Sequence, residues 1–317
     1  MVKAPMKTLI VCDKPAWSYW SIAQALVKHN TDPDLHIDVT ALKGNVVNFL
    51  RRERDYCRVL LMGHQMWDLL PWYKDFTIDQ HRWLTGIHSH HAFDAELKTS
   101  PDADARPPAS LVRLLARFHG VNAVSQRLTD LFRREGLQVA YTPNGVDADI
   151  FKPMQPISTE GPLRVGVAYT PKGIHAKRKG VDGFIRPACE KVGAVLVEAK
   201  ARSDQHVEPE DMPVFHNSVD CFAVGSSSEG FSIAMLEAAA CGRPIISTRV
   251  GGSTELIQNG RNGVLVDRTA DAFAEVFDVL QRHRAYAIQM GEESRKVVEE
   301  QWSWEKRAPA WLTFLTA

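Results

Sequence analysis

Residues 226–266 read SSSEGFSIAMLEAAACGRPIISTRVGGSTELIQNGRNGVLV. In and just before this stretch, three short apolar runs have the character of buried parallel strands: Cys221–Val224, Pro244–Thr248 and Gly263–Val266. The run Ser232–Ala240, rich in Ala, Met and Leu, predicts a helix between the first two. Gly230 and the pair Gly251–Gly252 mark turns from strand to helix. The stretch therefore predicts strand–helix–strand units of a parallel sheet.

The same alternation of strand-like and helical runs extends over the rest of the chain. The remaining predicted strands are Thr8–Val11, His36–Thr40, Arg58–Met62, Thr85–His88, Asn122–Ser125, Leu163–Ala168 and Ala194–Glu198. The remaining predicted helices are Ser18–His29, Pro108–Phe118, Val181–Lys191, Thr254–Gln258 and Asp271–Arg282. This pattern predicts an α/β protein with doubly wound parallel sheets.

The length of the chain, 317 residues, suits two domains of roughly 100–200 residues each. The stretch FKPMQPISTEG at Phe151–Gly161 has two prolines, a Ser-Thr pair and a glycine without periodicity, which is typical of a linker. We therefore predict one Rossmann-like domain at residues 1–152 and a second at residues 162–301. Ligands of such sheets bind beyond the carboxyl ends of the strands, so we expect a site in the cleft between the domains.

The composition narrows the class of protein. There are 38 basic and 38 acidic side chains, and 44% of the residues are hydrophobic, which argues against a disordered chain and a general nucleic-acid binder. Five scattered cysteines without a CxxC pair suggest reduced thiols. No apolar run approaches the roughly 18–20 residues that cross a bilayer, and the N-terminus does not resemble a signal peptide. We expect a soluble cytoplasmic protein, with peripheral membrane contact at HQMWDLLPWYKDF left open.

The chemistry of the central stretch favours a ligand with phosphates and hydroxyl groups. Gly230 allows close approach to the backbone, and the N–H groups of Gly230, Phe231 and Ser232 open a helix, where phosphate is a common ligand. Glu237 lies in an apolar helix, where a carboxylate needs hydrogen-bond donors. A ribose diol supplies such donors in dinucleotide sites.

The spacing of Glu229 and Glu237 gives an E-x7-E motif, and its context EGFSIAMLEAAACGRPIISTRVGG resembles the retaining GT-B glycosyltransferases of family 4, the glycosyl transferases group 1. Further segments resemble parts of the same family: YTPNGVDADIFKP at Tyr141–Pro153, KGVD at Lys179–Asp182, VNAVSQRLTDL at Val121–Leu131 and WSWEKRAPAWLTFL near the end. The resemblance is nearly continuous from Val121 onward and weak before it.

The resemblance implies a GT-B fold: two Rossmann-like domains, a cleft between them, and a C-terminal helix at residues 302–317 that crosses back to the first domain. It implies that a sugar moves from a nucleotide-diphosphate sugar to an acceptor hydroxyl with retention of configuration, without a metal or other cofactor. The acceptor stays open among a glycan, a lipid carrier, a nucleic-acid base modification and a small molecule.

Matched residue by residue, the resemblance also implies roles for side chains of the second domain. Glu237 binds the ribose, Glu229 contacts the donor sugar, and Lys179 neutralises the diphosphate. The backbone of Gly230, Phe231 and Ser232 holds phosphate or sugar oxygens. The family usually has an arginine in the loop that here spans 169–179, and three residues are candidates to replace it: Lys172, Lys177 and Arg178.

In the first domain, His88 resembles the family histidine at the cleft end of a strand, which implies a hydrogen bond to the donor sugar as its anomeric carbon becomes oxocarbenium-like. His64 lies at the end of the strand-like run RVLLMGH and is a second candidate for a residue that lines the cleft. We assign it, with Trp17 and Tyr19, to the acceptor side. The glycine-rich loop common after the first strand is replaced by CDKPAWSYWSIAQAL. Other aromatic residues of this domain either stack on an acceptor or fill the core: Trp20, Trp67, Trp72 and Tyr73.

Some patterns suggest other chemistry. Three groups of residues could suggest a metal site, but each lacks a complete ligand set, so no metal is expected there: His88, His90 and His91, Asp102 with Asp104, and Asp147 with Asp149.

Two other function classes remain as alternatives to the transferase. One is a non-catalytic module that binds sugar nucleotides or glycans, and the other is a GT-B-like sugar-nucleotide epimerase.

Overall fold

The structure is a computed structural model that describes residues 5–15, 17–43, 53–69, 81–89, 106–171, 173–201 and 206–317. The described residues form two compact units. The first unit contains the described residues up to Ser89, residues 106–145 and Trp304–Ala317. The second contains the described residues of Val146–Ser303.

Strands and helices alternate along both units. The strands are β1 Met6–Cys12, β2 Leu35–Ala41, β3 Arg58–Leu61, β4 Trp83–Ile87, β5 Gly120–Ala123, β6 Val139–Tyr141, β7 Arg164–Tyr169, β8 Val195–Lys200, β9 Cys221–Val224, β10 Ile245–Thr248 and β11 Gly263–Val266. The described α-helices are α1 Ser18–Lys28, α2 Ala109–Leu115, α3 Gln126–Arg134, α4 Gly173–Lys179, α5 Arg186–Val192, α6 Met212–Asn217, α7 Ile233–Ala240, α8 Ser253–Leu256, α9 Ala270–Arg282, α10 Arg284–Val297 and α11 Trp304–Thr316. Short helices of the 3-10 or π type lie at Glu53–Asp55, His64–Leu69, Val181–Ile185, Pro209–Asp211 and Val298–Trp302.

The first unit is built on six parallel strands in the order β2-β1-β3-β4-β5-β6. The apolar run Leu9–Val11 is fully buried, as expected for a parallel sheet covered on both faces. The last helix, α11, packs against α1 and β3. Its Trp311 side chain is fully buried and donates from Nε1 to the backbone oxygen of Pro143 at 3.0 Å. The C-terminal helix therefore belongs to the first unit, as the resemblance implies.

The second unit has five parallel strands in the order β11-β10-β9-β7-β8. Its core includes Val165, Ile246, Phe273 and Phe277. The stretch Phe151–Gly161, predicted as a linker, lies within this unit and is bonded to it. The Met154 N–H donates to Asn217 Oδ1 at 2.7 Å, and the Ser158 N–H donates to Asp220 Oδ1 at 3.1 Å.

Several elements were absent from the sequence prediction, among them α4, α6, α10 and β6. The segment from Tyr169 to Arg178, interpreted as a loop, contains helix α4. The helix begins at Gly173, whose φ is +62°, and its last turn carries Lys177, Arg178 and Lys179, where cations stabilise the helix dipole. Strand β6 has only three residues, too few to form a pattern.

No helix in the described ranges is long and apolar enough to cross a membrane.

Candidate functional site

The carboxyl end of β9 and the end of α4 lie side by side in the second unit. Gly180, directly after α4, has a φ of +66°, and a Cβ atom there would collide with the backbone oxygen of Gly225. The Ser227 N–H donates to the Arg178 oxygen at 2.9 Å. Glycine is therefore required at position 180, because of both the positive φ and the close approach of the loop after β9.

Glu229 lies at the centre of a charged cluster built by these two segments. Its Oε1 lies 2.6 Å from Lys179 Nζ and accepts a hydrogen bond from Ser226 Oγ at 2.7 Å. Its Oε2 lies 3.4 Å from Arg178 Nη1. Burial raises the pKa of the Glu229 carboxyl, but the charges of Lys179 and Arg178 outweigh burial and hold this pKa at about 2. The carboxylate is therefore ionised at neutral pH and faces two cations.

Arg178 is held in this cluster by the backbone. It is buried, and its Nη1 donates to the Ser228 oxygen at 2.6 Å. Of the three candidates to replace the family arginine, Arg178 lies at Glu229 and Lys177 is exposed. The third, Lys172, lies outside the described residues.

The start of α7 packs against the two-glycine turn before α8. The Gly252 N–H donates to the Gly230 oxygen at 3.1 Å, and a Cβ on Gly252 would overlap the Phe231 ring. Ser232 is the N-cap of α7, and its side chain forms no capping hydrogen bond. In the described part of the chain, the N–H groups of Gly230, Phe231 and Ser232 donate to no protein acceptor. They are available to an anion at the helix start.

Glu237, on α7, has a protein partner. Its Oε2 lies 3.2 Å from Nε2 of His216, on α6. His216 is fully buried and is surrounded by three phenylalanine rings, those of Phe151, Phe215 and Phe222. The His216 imidazole therefore supplies one hydrogen-bond donor to the Glu237 carboxylate. The sequence did not indicate this contact.

The first unit brings together three of the residues predicted for it. His88 follows β4, its ring centroid lies 4.7 Å from that of Tyr19, and the Tyr19 hydroxyl accepts a hydrogen bond from Gln65 Nε2 at 2.9 Å. Burial, with a smaller contribution from the neighbouring His64, lowers the pKa of His88 to about 3. The imidazole is therefore neutral at pH 7. Trp17 is the N-cap of α1 and is partly exposed, with Lys14 Nζ 3.1 Å from its ring centroid.

The other residues singled out in the sequence pack against aromatic rings, stabilise a turn or lie outside the described ranges. Trp67 packs edge-on against Trp83 and Phe118, with centroid distances of 6.5 and 6.4 Å, as a core residue does. Asp147 Oδ1 accepts from the N–H groups of Asp149 and Ile150 and so stabilises a turn. Among the described residues, no group of three or more His, Cys, Asp or Glu side chains is placed to hold a metal. Several predicted residues lie outside the described ranges: Trp72, Tyr73, His90, His91, Asp102 and Asp104.

Sequence reasoning missed Arg268, which contacts the backbone of both segments that build the charged cluster. It follows β11, and its Nε donates to the Gly225 oxygen at 3.0 Å. The surrounding sequence VDRTA matches no motif, so only the tertiary structure reveals this contact.

Part of the second unit matches a known protein family. Residues 188–297 match the family model of the glycosyl transferases group 1. The chain is 31% identical over 215 residues to a GDP-mannose-dependent alpha-(1-6)-phosphatidylinositol monomannoside mannosyltransferase of Mycobacterium tuberculosis, with 55% of each protein covered. It is 24% identical over 272 residues to the D-inositol 3-phosphate glycosyltransferase of Acidothermus cellulolyticus, which covers 65% of this chain and 60% of that relative. The chain spans about half the length of the curated relatives it matches.

Solved structures share the fold. The sucrose-phosphate synthase of Thermosynechococcus elongatus superposes with a TM-score of 0.72 at 15% identity, covering 97% of this chain and 98% of that one. HepE of Anabaena, solved with UDP and glucose, superposes with a TM-score of 0.69 at 14% identity, covering 98% of this chain and 100% of that one. At these identities the likeness establishes the fold, which is GT-B.

Proposed function

Because residues 188–297 match the glycosyl transferases group 1 family and the chain has a GT-B fold, we propose that it is a retaining glycosyltransferase. It moves a sugar from a nucleotide-diphosphate sugar to an acceptor hydroxyl. The second unit binds the donor, and the first unit binds the acceptor through residues that include His64, Tyr19 and Trp17.

The observation that carries this proposal is the cluster at Glu229. Two cations, Lys179 and Arg178, face a single carboxylate, so the cluster keeps positive charge for an anionic ligand. The start of α7 contributes N–H groups without protein acceptors among the described residues. Together these groups suit a diphosphate, which gains negative charge as its bond to the sugar breaks. Lys179 and Arg178 supply the charge that a divalent cation supplies in other transferases, and we propose that no metal is needed.

The two glutamates of the E-x7-E motif bind hydroxyl groups of the donor. Glu229 is ionised and buried, so its oxygens accept strongly from a sugar hydroxyl. Glu237 accepts from the ribose diol while His216 fixes the orientation of its carboxylate. His88 is neutral and offers a ring nitrogen to the donor sugar as positive charge develops at the anomeric carbon.

Retention follows if the acceptor oxygen attacks from the face that the diphosphate leaves. A bond forms between that oxygen and the anomeric carbon while the bond from this carbon to the phosphate oxygen breaks. The departing phosphate oxygen then takes the acceptor proton. No carboxylate nucleophile is required in this scheme.

Turnover by the purified chain tests the proposal. The chain is incubated with UDP-, GDP-, ADP- and dTDP-sugars and a panel of hydroxyl acceptors, with and without EDTA. We expect nucleotide release with at least one donor, unchanged by EDTA, and a product whose anomeric configuration by NMR matches the donor. Donor binding without release, or an inverted product, would contradict it.

We also propose that the chain acts in a reducing compartment such as the cytoplasm. All five cysteines are unpaired, and four of them are buried. Thiols in this state are typical of cytosolic proteins. Full activity in millimolar dithiothreitol is the expected result, and inactivation by the reductant would contradict it.

A further inference from the structure

Arg268 joins the two segments that build the charged cluster. Its Nε donates to the oxygen of Gly225, at the start of the loop that leads to Glu229. Its Nη2 donates to the last carbonyls of α4, those of Lys177 at 3.1 Å and Arg178 at 3.3 Å. A single guanidinium therefore bridges the loop after β9 and the helix that carries the two cations.

Arg268 adds to backbone contacts at the end of α4, where the Gly180 N–H donates to the Lys177 oxygen at 3.2 Å and the Ser227 N–H to the Arg178 oxygen at 2.9 Å. The helix has seven residues, too few to be stable by itself, and the carbonyls of its last turn have no partner within the helix. The planar guanidinium offers several N–H groups in a fixed fork, so one side chain serves carbonyls of both segments. The direction of Lys179, the next residue, depends on how this turn is fixed.

Arg268 is itself held in place by packing. Its guanidinium carbon lies 4.5 Å from the centroid of the Phe184 ring, and the side chain is half-buried. In the described ranges, no carboxylate forms an ion pair with it. Arg268 thus lies on the backbone of the turn that carries Arg178 and Lys179, while those two side chains are the cations that face Glu229.

We propose that Arg268 is a positioning residue for the donor diphosphate. It binds the carbonyls of Lys177, Arg178 and Gly225, and so fixes the Lys179 ammonium relative to Glu229 and to the start of α7. It acts on the ligand through Lys179 rather than by direct contact. This inference rests on the proposed function, since it assigns Arg268 to the site that binds the donor.

A double-mutant cycle with Lys179 tests this role. The dissociation constant of the nucleoside diphosphate that binds best, among UDP, GDP, ADP and dTDP, is measured by calorimetry for the wild type, Arg268→Met, Lys179→Ala and the double variant. We expect Arg268→Met to weaken binding about tenfold in the wild type and less than about threefold in the Lys179→Ala background. A purely structural role would give equal losses in both backgrounds.

Two further variants keep the test decisive. Arg282→Met is the matched control, since Arg282 is exposed and pairs only with Asp278 on its own helix among the described residues; it should leave binding unchanged. Arg268→Lys keeps the stem and the charge but cannot bridge three carbonyls, so an intermediate loss is expected even if Arg268→Met fails to fold. Equal losses in both backgrounds, or wild-type affinity in Arg268→Lys and Arg268→Met, would overturn the inference. A wild type that binds no nucleotide would instead overturn the proposed function.

Discussion

At the scale of single residues, Glu229 shows how the site combines burial with charge. Its side chain is buried, which alone would favour a neutral carboxyl group. Lys179 and Arg178 reverse that preference, and Ser226 occupies a further lone pair. The E-x7-E spacing predicted that Glu229 matters. It did not predict the ion pairs of Glu229, because Arg178 and Lys179 are brought to it from α4 by folding and not by sequence proximity.

Glu229→Gln is predicted to lower kcat/KM for the donor by about 10²-fold or more, since removing one charged or hydrogen-bonding group aimed at a developing charge has effects of that size. The variant keeps the shape of the side chain but loses the charge that orders Lys179 and Arg178. Donor turnover measures the effect, and circular dichroism checks the fold. Glu292→Gln is the control, because Glu292 is exposed on α10. Equal activity of the two variants would contradict the role of Glu229.

The lowered pKa of Glu229 also predicts a pH dependence of stability. A carboxyl whose pKa is about 2 in the folded chain and 4.5 when unperturbed, as in the unfolded chain, stabilises the fold above pH 4.5 and loses that stabilisation as pH falls toward 2. The contribution is on the order of 3 kcal/mol. The difference in free energy of unfolding between wild type and Glu229→Gln should therefore shrink as pH falls from 5 to 3. A constant difference over this range would count against the ion pairs.

At the scale of elements, the functional groups lie where strands end and helices begin. The strand β9, the helix α7 and the turn before α8 were predicted from apolar runs and glycines, because those patterns are local. Helix α4 was not, since Pro171, Gly173 and a run of basic residues read as a loop. Its end is held by tertiary partners that lie far away in the sequence, among them Ser227 and Arg268.

Gly252→Ala is predicted to destabilise the second unit by about 1–3 kcal/mol, because the added methyl group would overlap the Phe231 ring. The ring and the adjacent start of α7 would have to shift, so nucleotide affinity should fall as well. Gly183→Ala is the matched control: a Cβ there meets no atom within 4 Å, and its effect should stay within about 0.5 kcal/mol. Urea unfolding measures both. Similar stabilities for the two variants would contradict the packing described at Gly252.

At the scale of the whole molecule, the chain is electrically neutral yet concentrates positive charge at one site. Its 38 basic and 38 acidic side chains balance, while Arg178 and Lys179 both face the single carboxylate of Glu229 in the second unit. Length, alternation and the terminal WSWEKRAPAWLTFL segment predicted two α/β units and the return of α11 to the first. The ion pairs at Glu229 and the hydrogen bonds of Arg268 could not be predicted, since they join residues about 50 to 90 positions apart in the chain.

The most direct test of the account is the affinity of the second unit's cluster for a nucleoside diphosphate. Calorimetry with UDP, GDP, ADP and dTDP compares the wild type with Lys179→Ala and with Lys191→Ala, whose lysine is exposed and pairs with Asp271 at 2.8 Å. We predict that at least one diphosphate binds the wild type, that Lys179→Ala weakens it at least about tenfold, and that Lys191→Ala leaves it unchanged. Absence of binding by every diphosphate, or equal affinities in the two variants, would contradict the account.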